Sequence, residues 1–308
     1  MPTVEVRDLR KHYGGLTAVD GVSFEVAEGE VYGLLGHNGA GKSTTVEILE
    51  GHRSRTAGEV SVLGMDPARG GRELRDRIGI VLQTSGVEPE LTVREAIGLY
   101  GSVYRRRRPM DELLDLVGLD AKADARIGTL SGGQRRRLDL ALGIVGYPHL
   151  VFLDEPTTGF DPAARRKSWE LVQGLCSLGT TVLLTTHYLD EAEQLADRVG
   201  VLTNGRLVAE GTPDELIGGL ADTTVSFTVA SVDPSTLAAA LPSDATVEGG
   251  RVRFTTSSPT TDVHRVTSWA VEQGIELGAL SVARPTLEDV FLGLADADAD
   301  TATEGSES

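Results

Sequence analysis

The residues Gly36-His37-Asn38-Gly39-Ala40-Gly41-Lys42-Ser43-Thr44 stand between a short apolar run, Glu30 to Leu35, and a stretch of helical character, Lys42 to Leu49. A glycine, four spacers and Gly-Lys-Ser make a pattern suited to cradling phosphate. Small glycines let successive backbone N–H groups converge on one concavity. The following helix adds its positive N-terminal end. Lys42 is placed to reach the β- and γ-phosphates, and the Ser43 hydroxyl to ligate Mg2+. Strand, glycine-rich turn and helix in this order open a doubly wound α/β core.

Working outward, residues 3–8 and 22–26 alternate apolar and polar, as edge strands do. Leu150 to Leu153 and Thr181 to Thr185 read as buried strands, and Leu189 to Ala196 as a short helix. Asn204-Gly205 between two apolar segments predicts a tight hairpin, because both residues tolerate positive φ. From about residue 84 to 146 helical periodicity dominates, as an insertion would show. The pattern restarts after Gly218-Gly219. Strand 224–229, helix 235–241, hairpin 245–255 through Gly249-Gly250, helix 259–273 and strand 275–282 follow the order βαββαβ. That order predicts a small α+β, ferredoxin-like domain. A last helix carries Leu287, Val290, Phe291 and Leu294 on one face, and the acidic stretch 296–308 reads as disordered. The expected division is a domain over 1–219, a second over 220–295 and a tail.

The chain has 308 residues and a net charge of -17, which argues against nucleic acid as a partner. Arg105-Arg106-Arg107-Arg108 is the local exception, readable as a solvated loop or as a contact for anionic headgroups or an acidic partner. The one cysteine, Cys176, lies in an apolar helical pattern and reads as a small core residue. No stretch approaches the roughly 18 apolar residues that span a bilayer.

Leu150-Val151-Phe152-Leu153-Asp154-Glu155 brings two carboxylates to the end of an apolar strand, where open α/β sheets place ligand groups. Asp154 suits Mg2+, directly or through water, and Glu155 suits the activation of an attacking water. Leu130-Ser131-Gly132-Gly133-Gln134 is open to two readings, an ordinary helix cap or a second phosphate site. Together the three segments resemble the ATP-binding subunits of ABC transporters, from about residue 3 to 215. The resemblance implies a P-loop ABC cassette that binds ATP and Mg2+ and hydrolyses ATP. It implies that Tyr13 stacks on adenine and that Gly36, Asn38, Gly39, Ala40, Gly41, Lys42, Ser43 and Thr44 hold the phosphates. It gives Gln83 a place beside Mg2+ and the permease, and it puts Glu155, His187, Gln83 and Lys42 in catalysis. Asp161 and Ser131, Gly132, Gly133 and Gln134 then meet nucleotide across a dimer interface. Phe160 stands where the family more often has leucine.

Pro285-Thr286-Leu287-Glu288-Asp289-Val290-Phe291-Leu292 resembles the extension of daunorubicin-resistance-type exporter ATPases. The resemblance implies a head-to-tail homodimer at the cytoplasmic face of the membrane, driving a separate permease that exports a drug, antibiotic or other hydrophobic solute. The alternative is a cassette that works as a regulatory, nucleic-acid or translation-linked switch. No long coiled-coil insertion separates Lys42 from Ser131, only one cassette is read in the sequence, and the charge is acidic, all of which argue against the nucleic-acid and translation readings, while the regulatory switch stays open.

Overall fold

Val31–Leu35 is apolar or glycine throughout and buried at every position, and it forms β3 at the heart of the larger sheet. Parallel strands, whose crossover helices cover both faces of the sheet, read as such unbroken apolar runs. In the computed structural model β3 lies between β7 (Thr181–Thr186) and β8 (Arg198–Thr203), parallel to both. The structure describes residues 2–81, 86–158, 160, 162–218, 223–229, 241–242, 245–283 and 286–291. The full sheet order is β5-β6-β7-β3-β8-β9, with β5 (Ile78–Val81), β6 (Leu150–Asp154) and β9 (Arg206–Gly211). β9 is the only antiparallel member among the described strands, and it joins β8 through Asn204 (φ 49°) and Gly205 (φ 78°), as the sequence predicts.

A three-stranded antiparallel sheet has the order β2-β1-β4, with β1 (Val4–Tyr13), β2 (Leu16–Val26) and β4 (Ala57–Val62). The first strand is therefore central, not the edge its alternation suggested. Its second partner, β4, hides behind Gly58, a weak strand residue. That glycine is required: a Cβ there would lie 2.3 Å from the Asp8 carbonyl oxygen, and its φ is +90°. Asp8 itself turns to φ 46° where the β1 register shifts.

The expected helical insertion contains α3 (Val93–Gly101), α4 (Met110–Val117) and α5 (Gly132–Ile144). They follow α1 (Lys42–Leu49) and the short α2 (Gly71–Arg75) in the chain. Val93, Ile97, Leu113, Leu114, Leu138 and Ile144 share one apolar cluster. Thr92 caps α3 by a reciprocal pair of bonds with Glu95. The four-arginine run divides: Arg108 is buried, pairs with Glu112 at 2.9 Å and lies over the Tyr147 ring, whereas Arg105 is exposed and meets Asp76 at 3.3 Å. α6 (Pro162–Ser177) and α7 (Leu189–Leu195) flank β7 in sequence. Cys176 on α6 is half-buried, and burial pushes its thiol up to about 11, in keeping with an inert packing role.

The chain divides at Pro213/Asp214 into two compact units. The second unit begins within α8 (Pro213–Gly218) and holds β10 (Thr223–Thr228), β11 (Thr246–Glu248), β12 (Arg251–Thr256), α9 (Pro259–Gln273) and β13 (Gly278–Ala283). Its sheet has the antiparallel order β11-β12-β10-β13, the order a ferredoxin-like βαββαβ chain produces. Val225, Phe227, Val252, Phe254 and Val266 form its core. Leu287 and Val290 are buried, while residues 235–240 of the predicted helix 235–241, Leu294 and the acidic tail lie outside the described residues.

A Cβ on Gly79 of β5 would sit 2.0 Å from the Gly143 carbonyl oxygen of α5. Gly79→Ala should therefore destabilise the first unit by about 1–3 kcal/mol, read by denaturant unfolding; an unchanged midpoint would contradict this packing. Glu50, at the end of α1, is buried, and burial, with Asp154 and Glu47 adding repulsion, raises its carboxyl from 4.5 to about 8. Between those values the folded chain binds the extra proton, so stability falls as pH rises through that window. Glu50→Gln should leave Tm nearly unchanged near pH 4.5 and raise it by a few degrees above pH 8, measured by calorimetry at both pH values.

Candidate functional site

Every parallel strand of the larger sheet ends on the same edge, which gathers residues far apart in sequence. The phosphate-type loop follows β3, Asp154 and Glu155 end β6, and His187 follows β7. Gly41 holds φ +104°, and a Cβ there would lie 2.5 Å from the Ala18 carbonyl oxygen, so only glycine fits. The hairpin tip supports the same loop, with the Gly205 N–H donating to the Ala40 carbonyl at 3.1 Å and the Asp20 N–H to the Gly205 carbonyl at 2.8 Å. Lys42 is only 6% exposed. Its ammonium donates to the Gly36 carbonyl at 2.6 Å and the His37 carbonyl at 3.1 Å. Burial lowers its pKa, while the charges of Glu155 and Asp154 hold it up. Ser43 is exposed and Thr44 partly exposed in the first turn of α1, beside the orphan N–H groups of the helix start.

Across the sheet, the Thr185 hydroxyl donates to Asp154 Oδ1 at 2.5 Å. Glu155 adopts φ 46°, a left-handed conformation that costs a non-glycine residue about 1 kcal/mol or more. Several bonds hold it there. Its N–H donates to the Thr185 carbonyl at 3.1 Å and meets the Thr185 hydroxyl at 3.2 Å. Its Oε2 accepts from the Thr158 hydroxyl at 3.1 Å, and His187 Nδ1 lies 3.0 Å from Oε1. The left-handed turn thus presents the carboxylate to the histidine at the next strand end.

Ser131 caps α5: its hydroxyl accepts from the Gln134 N–H at 3.3 Å, and Gln134 Oε1 accepts from the Ser131 N–H at 2.9 Å. Ser131 and Gly132 are exposed, Gly133 and Gln134 partly so, and open space faces both glycines. Among the described residues, no hydrogen bond joins this cap to the loop at 36–44 within one chain. Tyr13 ends β1 at 37% exposure, with Lys11 Nζ 4.8 Å and the Arg53 guanidinium 5.4 Å from its ring centre. Gln83, Gly159 and Asp161 lie outside the described residues; Phe160 donates its N–H to the Thr157 carbonyl at 3.1 Å.

Arg136 of α5 was not singled out by the sequence, because it sits inside Arg135-Arg136-Arg137, which reads as solvated charge. It is buried, and its guanidinium donates to the carbonyls of Asp154 at 3.0 Å, Glu155 at 3.3 Å and Pro156 at 3.0 Å. It therefore ties the helix capped by Ser131 to the strand end carrying the carboxylates. Thr185 and Thr158 were also missed, and only strand register marks Thr185, which lies directly opposite Asp154. The oxygen donors Ser43 and Asp154 suit a hard divalent cation that keeps several waters and phosphate oxygens, as Mg2+ does.

Residues 19–158 match the ABC transporter family, and residues 223–286 match the ABC transporter domain-containing protein-like, C-terminal domain. The chain is 39% identical over 303 residues to the daunorubicin resistance ATP-binding protein DrrA2 of Streptomyces coeruleorubidus, covering 94% of each chain. It is 45% identical over 219 residues to the Nod factor export ATP-binding protein I of Paraburkholderia xenovorans (strain LB400), covering 70% of this chain and 72% of that one. Among solved structures, it resembles the ATP binding subunit of an ABC transporter at a TM-score of 0.63 and 31% identity, covering 71% of this chain and 93% of that one. It also resembles the dimeric bacterial ABC transporter cassette MJ0796 at a TM-score of 0.59 and 27% identity, covering 68% of this chain and 98% of that one. With the fold, the phosphate-type loop and a relative 39% identical and matched along 94% of its length, the chain belongs to the ATP-binding, ATP-hydrolysing subunits of the ABC transporters.

Proposed function

We propose that this subunit energises a membrane exporter as a head-to-tail homodimer at the cytoplasmic face, working on a separate permease. The observation that carries the mechanism is the meeting of Lys42, Asp154, Glu155 and His187 at one sheet edge. Among the described residues, no helix is long and apolar enough to cross a membrane. Relatives named for daunorubicin resistance and for Nod factor export support an exported organic solute, of the drug, antibiotic or other hydrophobic class.

In this reading the backbone N–H groups of residues 39–44 and the Lys42 ammonium bind the β- and γ-phosphates. Lys42 must then exchange its bonds to the Gly36 and His37 carbonyls for phosphate oxygens. Tyr13 stacks on adenine. Ser43 and Asp154, with Gln83, hold Mg2+, which supplies neutralisation of phosphate charge when bound. Glu155 takes the proton of the attacking water, and His187, already bonded to Glu155, contacts the γ-phosphate. Asp161 and the exposed Ser131 to Gln134 of a second chain complete each nucleotide site. That division accords with the exposure of Ser131 and Gly132 and with the open space that faces Gly132 and Gly133, and the dimeric solved cassette supports it. Pairing and separation of two chains then form a two-state element that ATP biases.

Glu155→Gln should keep ATP binding, lower turnover by about 10²–10⁴-fold and accumulate an ATP-dependent dimer on size exclusion. Near wild-type turnover would remove Glu155 from the base role. Lys42→Ala should weaken ATP binding by tenfold or more, on the order of the loss of a charged hydrogen bond; unchanged affinity by calorimetric titration would contradict the phosphate assignment.

A further inference from the structure

The packing of α6 on α7 contains a polar seam that the hydrolytic assignment leaves unused. Arg165, Trp169 and Gln173 recur at four-residue spacing and share one face of α6. Each bonds the α7 segment in turn. Arg165 Nη1 donates to Asp190 Oδ2 at 2.7 Å, Trp169 Nε1 to Glu191 Oε1 at 3.3 Å, and Gln173 Nε2 to the Gln194 carbonyl at 3.2 Å. The first rung reaches beyond α7. Its guanidinium carbon lies 4.5 Å from the centre of the Tyr188 ring, and the Tyr188 and His187 ring centres are 4.1 Å apart with a 37° tilt. The cation thus lies over the phenol ring, the imidazole meets that ring at a tilt, and the imidazole in turn reaches the Glu155 carboxylate.

Arg165 Nε is buried and has no hydrogen-bond partner among the described residues. Leaving such a donor unfilled is costly, and a guanidinium turned to solvent would avoid it. The stack on Tyr188 and the ion pair with Asp190 keep it inward. His187 gains from this restraint, because its side chain is 35% exposed and stands in a connection between strand and helix, where several rotamers are open to it.

We propose that Arg165 is a positioning residue for ATP hydrolysis: from the first turn of α6 it fixes Tyr188 and, through that ring, aims the His187 imidazole at Glu155. The inference rests on the reading that His187 serves the γ-phosphate. The role of Arg165 runs through the rotamer of His187 and not through the nucleotide.

The test is steady-state ATP hydrolysis by the full chain for Arg165→Met, Arg165→Lys, His187→Ala and the Arg165→Met/His187→Ala pair, with Tm recorded for each. Arg165→Met keeps the stem and loses the charged plane. Its kcat should fall about tenfold with KM for Mg-ATP held within about twofold. Arg165→Lys, which can still meet Asp190, should recover part of the loss. Adding Arg165→Met to His187→Ala should cost nothing further, since both act through one imidazole. Full kcat in Arg165→Met, or an additive fall in the pair, overturns the proposal. Wild-type kcat in His187→Ala alone defeats the γ-phosphate reading itself and the proposal with it, and that single variant tells the two failures apart. If Arg165→Met does not fold, Asp190→Asn frees the same guanidinium from the α7 side and must show the same kcat-only loss; undiminished kcat there counts against the proposal.

Discussion

The register of β6 against β7 is the constraint from which the rest of the site follows. Asp154 faces Thr185 across the parallel pair, so one hydroxyl reaches the Asp154 carboxylate while the same residue's carbonyl receives the Glu155 N–H. Side chains alternate along a strand with a period of two, and a one-residue slip would send Asp154 to the opposite face. The apolar runs in β6 and β7 prevent that slip, since buried Leu153 and Leu184 also pair in this register. Burial of unremarkable aliphatic side chains thereby sets the place of the carboxylates.

The electrostatics follow from that placement. Asp154 and Glu155 lie close enough to Lys42 to hold up its pKa, and Asp154 is close enough to Glu50 to raise the Glu50 carboxyl. Neutral partners, Thr185 and Thr158, supply much of the hydrogen bonding to the two strand-end carboxylates. Such an edge, rich in hard oxygen and close to one lysine, favours a divalent cation with phosphate attached more than it favours a bare anion. Arg136, by contrast, spends its guanidinium on backbone carbonyls and acts as a strut between helix and strand end.

What the sequence revealed and what it concealed have different physical origins. Strands β3, β6 and β7 were legible because unbroken apolar runs have few other uses, and α1 because a glycine-rich turn must be followed by a helix start. The Asn204-Gly205 hairpin was legible from its φ requirement alone. β4 and β5 were not, because Gly58 and Gly79 interrupt them, and those glycines are present for close approaches that appear only in three dimensions. Without β4 in view, β1 looked like an edge. The arginine runs concealed one buried member each, Arg108 and Arg136, since adjacent like charges give no sign of which one turns inward. For the site itself, chemistry-bearing residues were readable from type and spacing, whereas their hydroxyl partners depend on register.

Gly205 sits at the tip of the hairpin between β8 and β9. Its N–H braces Ala40 while its carbonyl takes the Asp20 N–H, so the phosphate-type loop is moulded against a hairpin encoded more than a hundred residues downstream. The curvature of that anion cup is accordingly borrowed and not self-contained. Transplanted alone onto another strand and helix, residues 36–44 would keep their chemistry and lose the mould that shapes it.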